Sequence, residues 1–314
     1  MFRINFLMLG FAYFINTTVA FGMWFFYLVR VLQGGIFATF GIGLSQNLGP
    51  GDASGPVGGP IIGHQMMGAL IVLVLFGLWT ARPHLAEVLR KAWNSKASVD
   101  DSREIMSYRA AVLCFLGGAS FIFIWLWQSC MPVWIVPIFI FAALALMIGL
   151  ARVVAETGLP TVAPAMAPAT FVMSAIGSTA LGIKGVVAAG YTLVWVGGFL
   201  MFVTAPMANA LRMGSEISRH RRTVFLAVGA AVLIAMVAGT WFQIYLAYKH
   251  GGLNLNSKYY QGFAMWPSRF AEASLASPAG PNVGGWIWTG VGAAVMVGLM
   301  IARHTYAWWP FHPI

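Results

Sequence analysis

Arg152 and Glu156 stand one helical turn apart and run straight into Thr157-Gly158-Leu159-Pro160. At that spacing a guanidinium and a carboxylate pair on one helix face, and a cation near a helix C-terminus gains from the macrodipole. The same residues admit a second chemistry. If the helix stops at Thr157-Gly158, Glu156 faces a polar cavity beside irregular backbone, where it becomes a protonatable group with Arg152 as its partner. Ionisable groups bordering a bilayer are functional candidates because desolvation makes them costly. Prolines at 160, 164 and 168 favour irregular backbone there, which a membrane tolerates only against protein or water. In either case Glu156 is expected beside a helix break, facing protein rather than lipid.

Three further places carry polar chemistry. Asn16-Thr17-Thr18 interrupts an apolar stretch, and a break there leaves unwound backbone to meet a solute or ion. His64 and Gln65 open an apolar span just after a glycine- and proline-rich loop, as interfacial hydrogen bonders or as part of a binding site. Asn209, shortly after Pro206, is a helix-end hydrogen bonder or a cavity residue. Other chemistries lack their pattern. There is no HExxH, no Cys-x-x-Cys-His, no Ser–His–Asp order and no lysine in the glycine-rich loop. The two cysteines, Cys114 and Cys130, read as small apolar-face thiols. No metal, no cofactor and no enzymatic activity are therefore expected.

The elements that position these residues are set by composition. Of 314 residues, 60% are hydrophobic and 8% charged, against about 25% charged in a soluble domain. Asp, Glu, Lys and Arg are absent from residues 110–151, 157–183, 185–211, 223–248 and 273–302. About 20 apolar residues cross a bilayer as a helix. The runs are continuous rather than alternating, so they are helices and not barrel strands. The expected fold is all-α: one polytopic transmembrane domain over residues 1–314, with about six to eight membrane segments including broken or re-entrant helices.

Spans are expected near 4–33 (one tilted helix or two half-helices meeting at Asn16–Thr18), 61–81, 109–130, 132–151, 223–248 and 283–302. Residues 34–60 read as a loop, and Met131-Pro132 as a tight turn. The segments 160–183 and 185–208 either both cross, or neither crosses and at least one is re-entrant. Gly197, Gly198, Gly290 and Gly292 are expected to permit close helix packing.

The net charge of +10 belongs to loops and to acidic lipid headgroups, not to nucleic acid. Residues 82–109 hold six Lys/Arg and four acids, and their first part is a short amphipathic helix around Leu85, Val88, Leu89 and Trp93. Together with the basic 212–222 loop, this segment is expected in the cytoplasm, with the polar 249–282 segment outside. The implied location is the cytoplasmic (inner) membrane.

Several stretches resemble a family of large bacterial multi-pass proteins distantly related to the oligopeptide transporter superfamily. They are Trp24-Phe25-Phe26-Tyr27, Trp79-Thr80-Ala81-Arg82-Pro83-His84-Leu85, Ser107-Tyr108-Arg109, Arg152 through Ala155-Glu156-Thr157-Gly158-Leu159-Pro160, and Trp308-Trp309-Pro310-Phe311-His312-Pro313-Ile314. They recur in the expected order over nearly the whole chain. The resemblance implies a transporter or transporter-derived module for small peptides or metal chelates, driven by protons. Its site residues would be Asn16, Thr17, Thr18, Arg152, Glu156, Thr157, Gly158 and Asn209, with His64 and Gln65 beside them. Members of that family are longer at the N-terminal end, so this chain resembles their C-terminal part or a naturally shortened version, completed by a second copy or another membrane subunit. The other reading is a non-transporting subunit of a larger bioenergetic or other membrane assembly.

Overall fold

This computed structural model describes residues 15–44, 59–94, 100–101, 104–159, 166–197, 221–306 and 308–311, with residues 6, 10, 13, 162, 204, 207–208 and 210–211 singly. The described residues include ten α-helices: α1 (Thr17–Thr39), α2 (Gly59–Thr80), α3 (Arg82–Trp93), α4 (Tyr108–Gln128), α5 (Val136–Thr157), α6 (Pro168–Ile176), α7 (Ser178–Val196), α8 (Arg221–His250), α9 (Ala264–Ala276) and α10 (Val283–Thr305). No strand occurs among the described residues. Seven of the helices, α1, α2, α4, α5, α7, α8 and α10, are long and apolar enough to cross a membrane. The protein is an all-α polytopic helical membrane protein.

The first apolar segment is broken where the polar triplet stands. Ile15 bends, and the Asn16 side chain accepts from Thr18 N–H at 2.9 Å, capping α1. That helix then runs six residues beyond the expected end at Leu32-Gln33. Gly34 and Gly35 do not stop it, because Ile36 and Phe37 continue the apolar face and Phe37 packs against Trp288. The chain leaves the helix only at Gly41, with φ 63°. Downstream, α3 is the expected amphipathic helix, and Arg82 stacks 4.3 Å over Trp79. The turn between α4 and α5 is wider than Met131-Pro132 alone. It extends from Ser129 to Ile135 and places Cys130 at φ 70°.

Two boundaries differ more. Lys184 was expected between two membrane segments; it lies on an exposed face of α7, two residues after Gly182, whose non-helical backbone (φ 67°, ψ 171°) kinks the helix. A further break falls upstream at Gly177, whose φ of 95° no L side chain adopts readily. A nine-residue α6 is about 14 Å long, half a hydrocarbon core.

The 249–282 segment, expected as a polar loop, contains α9, and Trp266, Phe270 and Ala271 of α9 are buried in the main core. Lys249, Lys258 and Arg269 masked this short apolar face. Pro267 sits inside α9, one turn after a π-helical stretch (Lys258–Phe263). The antiparallel pairing of α9 with α7 follows from two contacts: Gly190 lies against the Pro267 carbonyl, and Thr179 N–H donates to the Ala279 carbonyl at 3.3 Å.

The core joins α5, α6, α7 and α9 around Phe139, Leu146, Val172, Leu193 and Phe270. Helix α5 lies parallel to α2, with Gly149 against Leu70 and Arg152 against Leu73. Helix α10 packs on α2 through glycines. Gly68 faces the Thr289 backbone, and Gly292 faces the Gln65 backbone, closely enough that a Cβ would overlap. Gly290 points into open space. By contrast, none of the described residues of α8 is buried.

Candidate functional site at two chain breaks

The Gly63-His64-Gln65 turn opens α2, and the glycine-rich start of α10 lies against it. A Cβ at Gly285 would stand 2.7 Å from the His64 ring and 3.0 Å from Ser174 Oγ. Only glycine leaves room there, and the imidazole fills it. His64 Nδ1 is 3.0 Å from Thr289 Oγ1, and His64 Nε2 is 3.0 Å from Ser174 Oγ. All three side chains are buried. The Thr289 hydroxyl donates to the Gly285 carbonyl at 2.8 Å, so its oxygen accepts from Nδ1–H. In the neutral ring Nε2 then has no proton, and the Ser174 hydroxyl donates to it.

Ser174 sits in the last turn of α6, just before the Gly177 break. That break meets a second one, the 277–282 segment between α9 and α10. A Cβ on Gly177 would lie 2.7 to 2.8 Å from the Ala279 and Gly280 backbone. The two breaks are laced together. Asn282 N–H donates to the Ser174 carbonyl at 2.9 Å, Ala279 N–H to Ser178 Oγ at 3.0 Å, and Trp286 Nε1–H to the Ala175 carbonyl at 3.1 Å. Asn282 also caps α10, its Oδ1 accepting from Gly285 N–H at 2.9 Å. Beside the junction opens a cleft of about 540 Å³, lined by Thr170, Ser174, Ser178, Ser274, Ser277 and Asn282 together with apolar residues. That volume is within the ordinary range for small-molecule sites, roughly 300 to 1,000 Å³.

The residues singled out from the sequence fall in several places. Arg152 and Glu156 pair at 2.7 Å, each side chain about a third exposed (33% and 35%), so Glu156 borders the surface rather than an enclosed cavity. Arg152 also reaches the Leu73 carbonyl at 3.3 Å, lying over Gly77 of α2. Gly158 terminates α5 with φ 74°, and the buried Thr157 turns its hydroxyl onto the Val153 carbonyl and accepts from Leu159 N–H. Asn16, Thr17 and Thr18 are exposed. Gln65 accepts from Gln33 Nε2 of α1 at 3.2 Å. Asn209, Gly198, Pro160 and Pro164 lie outside the described residues. No group of three or more His, Cys, Asp or Glu among the described residues is placed to hold a metal.

Of these candidates His64 alone belongs to the junction. Sequence reasoning missed Ser174, Asn282 and Thr289, and it saw no hydroxyl beside a base, although Ser174 and His64 supply that pair. Residues 110 and 225 positions away from His64 complete its network, and no local spacing announces them. The Gly-Gly and Gly-x-Gly runs of α10 were the available signal, because close helix approach is what brings Thr289 to His64.

The whole chain, residues 1–314, matches the family described as a family of unknown function (DUF6785). The chain belongs to this family. Neither the curated proteins nor the solved structures contain a match to it.

Proposed function

We propose that this family member is a membrane transporter, or a module derived from one, whose solute site is the serine-rich cleft at the two chain breaks. The observation that carries this reading is the buried Thr289–His64–Ser174 chain ending at the cleft wall. Discontinuous helices meeting at a site are how secondary transporters free backbone and side chains for solutes and coupling ions. His64 is the coupling group in this reading. A proton entering from the cleft goes to Ser174 Oγ as the serine's own proton passes to Nε2, and the ring becomes an imidazolium held by two hydroxyl oxygens. Arg152 and Glu156 anchor α5 to α2 instead. The lysine- and arginine-rich 82–109 and 212–222 loops support an inner-membrane location with both loops in the cytoplasm.

Hydrolysis would use the same Ser174–His64 pair, but the surroundings favour a relay. The backbone N–H groups of Gly177, Asn282 and Gly285 already donate to Met173, Ser174 and Asn282, which leaves none of these three for an oxyanion. A fluorophosphonate probe is accordingly expected to leave Ser174 unlabelled in the folded protein.

The bare surface of α8 favours a second reading, a non-transporting subunit that packs in a larger membrane assembly. Proteoliposomes holding a pH-sensitive dye separate the two. A transporter acidifies the lumen when its solute is supplied outside, and H64Q lowers the initial rate at least tenfold while protein incorporation is unchanged. Absence of solute-driven proton movement, with co-purification of other membrane subunits in fixed ratio, would establish the subunit reading.

A further inference from the structure

Among the described residues that line the cleft, none is charged: the polar ones are Thr170, Ser174, Ser178, Ser274, Ser277 and Asn282. The hydroxyl protons of Ser174, Ser178 and Ser274 are committed to the protein. Ser274 donates to the Phe270 carbonyl at 2.8 Å, Ser178 to the Ala279 carbonyl at 3.4 Å, and Ser174 to the neutral His64 ring at 3.0 Å. Asn282 Oδ1 is taken by Gly285 N–H. A hydroxyl that gives its proton inward still presents lone pairs outward. Ser174 and Ser274 therefore meet a solute as acceptors, and the solute must bring donors to them. An ammonium or carboxylate entering this cleft would lose hydration without meeting an opposite charge among these residues, a cost hydroxyl partners cover poorly. Neutral hydroxyl groups lose far less, and Leu44 and Met173 supply an apolar flank for carbon–hydrogen faces.

We infer that the cleft binds a small, uncharged, hydrogen-bond-donor-rich solute of the polyol class, held by Ser174 and Ser274. This inference rests on the transporter reading for its physiological meaning, but the binding it describes is measurable without transport.

The test uses the full chain in lipid nanodiscs, with Cys114 and Cys130 replaced by alanine and S277C as the single reactive position at the cleft. Maleimide alkylation of S277C is timed with sorbitol or myo-inositol as neutral probes, with dialanine as a zwitterion, and with citrate and tetramethylammonium as ions. The expected result is that a polyol slows alkylation at least fivefold and the charged probes do not. S174A and S274A, each checked for a monodisperse elution profile, should each reduce that protection at least threefold. Two variants are used so that failure of one to fold leaves the other. Lack of protection by either polyol overturns the inference, and so does protection by a charged probe. Proteoliposome uptake then distinguishes the two readings. Polyol protection without polyol uptake supports the site and removes transport. Protection and uptake of a charged probe remove this solute class and leave transport standing.

Discussion

At the scale of single residues, the site depends on a missing side chain as much as on those present. Gly285 gives the space in which His64 meets Ser174, and a Cβ there would stand 2.7 Å from the ring. G285A is therefore expected to lower stability by about 1 to 3 kcal/mol, the usual cost of overpacking. G290A, further along the same helix with nothing within 4 Å, should leave the melting temperature in detergent unchanged, so the pair is read in one thermal-unfolding comparison. The Arg152–Glu156 pair makes the opposite case. Both side chains are about a third exposed, and ion pairs of that kind contribute roughly 0 to 1 kcal/mol. E156Q should cost no more than that and leave transport intact. R152A should cost more, because the Leu73 carbonyl loses a donor and the space over Gly77 empties. A larger loss of transport in E156Q than in H64Q would move the coupling role back to the carboxylate.

Elements differ in how much of each the protein covers. Helices α5 and α7 are enclosed along whole faces, whereas α8 extends 30 residues without a buried side chain among those described. At 1.5 Å per residue it is about 45 Å long, more than a bilayer core needs. On it Leu233, Val237 and Trp241 are each 65% exposed or more. A nitroxide at Val237 in nanodiscs is expected to report lipid, with high oxygen and low nickel-chelate accessibility. A shielded signal in native membranes, relieved by purification, would show another subunit seated on α8. The α6–α7 break is a separate matter of element geometry. Gly177 combines φ 95° with neighbours at 2.7 Å, so G177A should open the junction and expose S277C to faster alkylation.

For the whole molecule, the expected arrangement puts residues 96 and 219 on the cytoplasmic side and Lys258 on the other. Single-cysteine labelling of intact cells, in a background without Cys114 and Cys130, checks it. Labelling of positions 96 and 258 from the same side would overturn the assignment. The closing aromatic residues contribute to the same scale. Phe311 stacks against Phe21 and meets the Phe25 ring at a tilt, with centroids 5.5 and 4.5 Å apart, so this residue packs onto α1. Removing Phe311 should loosen α1 and speed proteolysis near Asn16, with little effect at the α6–α7 junction.

Composition and the charge-free runs determined the fold class and most of the long helices, because a bilayer demands about 20 apolar residues per crossing and admits few charges. Local chemistry determined several ends as well. Asn16 caps α1 and Gly158 closes α5 because a side-chain acceptor and a left-handed glycine act within a few residues. The Arg152–Glu156 pair was legible for the same reason, being one turn apart. Other features required neighbours distant in sequence. The break at Gly177, upstream of the Gly182 kink beside Lys184, and the burial of α9 beneath α7 were settled by packing between segments about 100 residues apart, whose own hydropathy gave no boundary. The candidate site is of that second kind. His64 was visible as a polar residue at the start of a span, but whether it met lipid, water or a hydroxyl was decided by Gly285 and Gly292, which let α10 approach closely enough to bring Thr289 to one ring nitrogen while the α6 break brought Ser174 to the other.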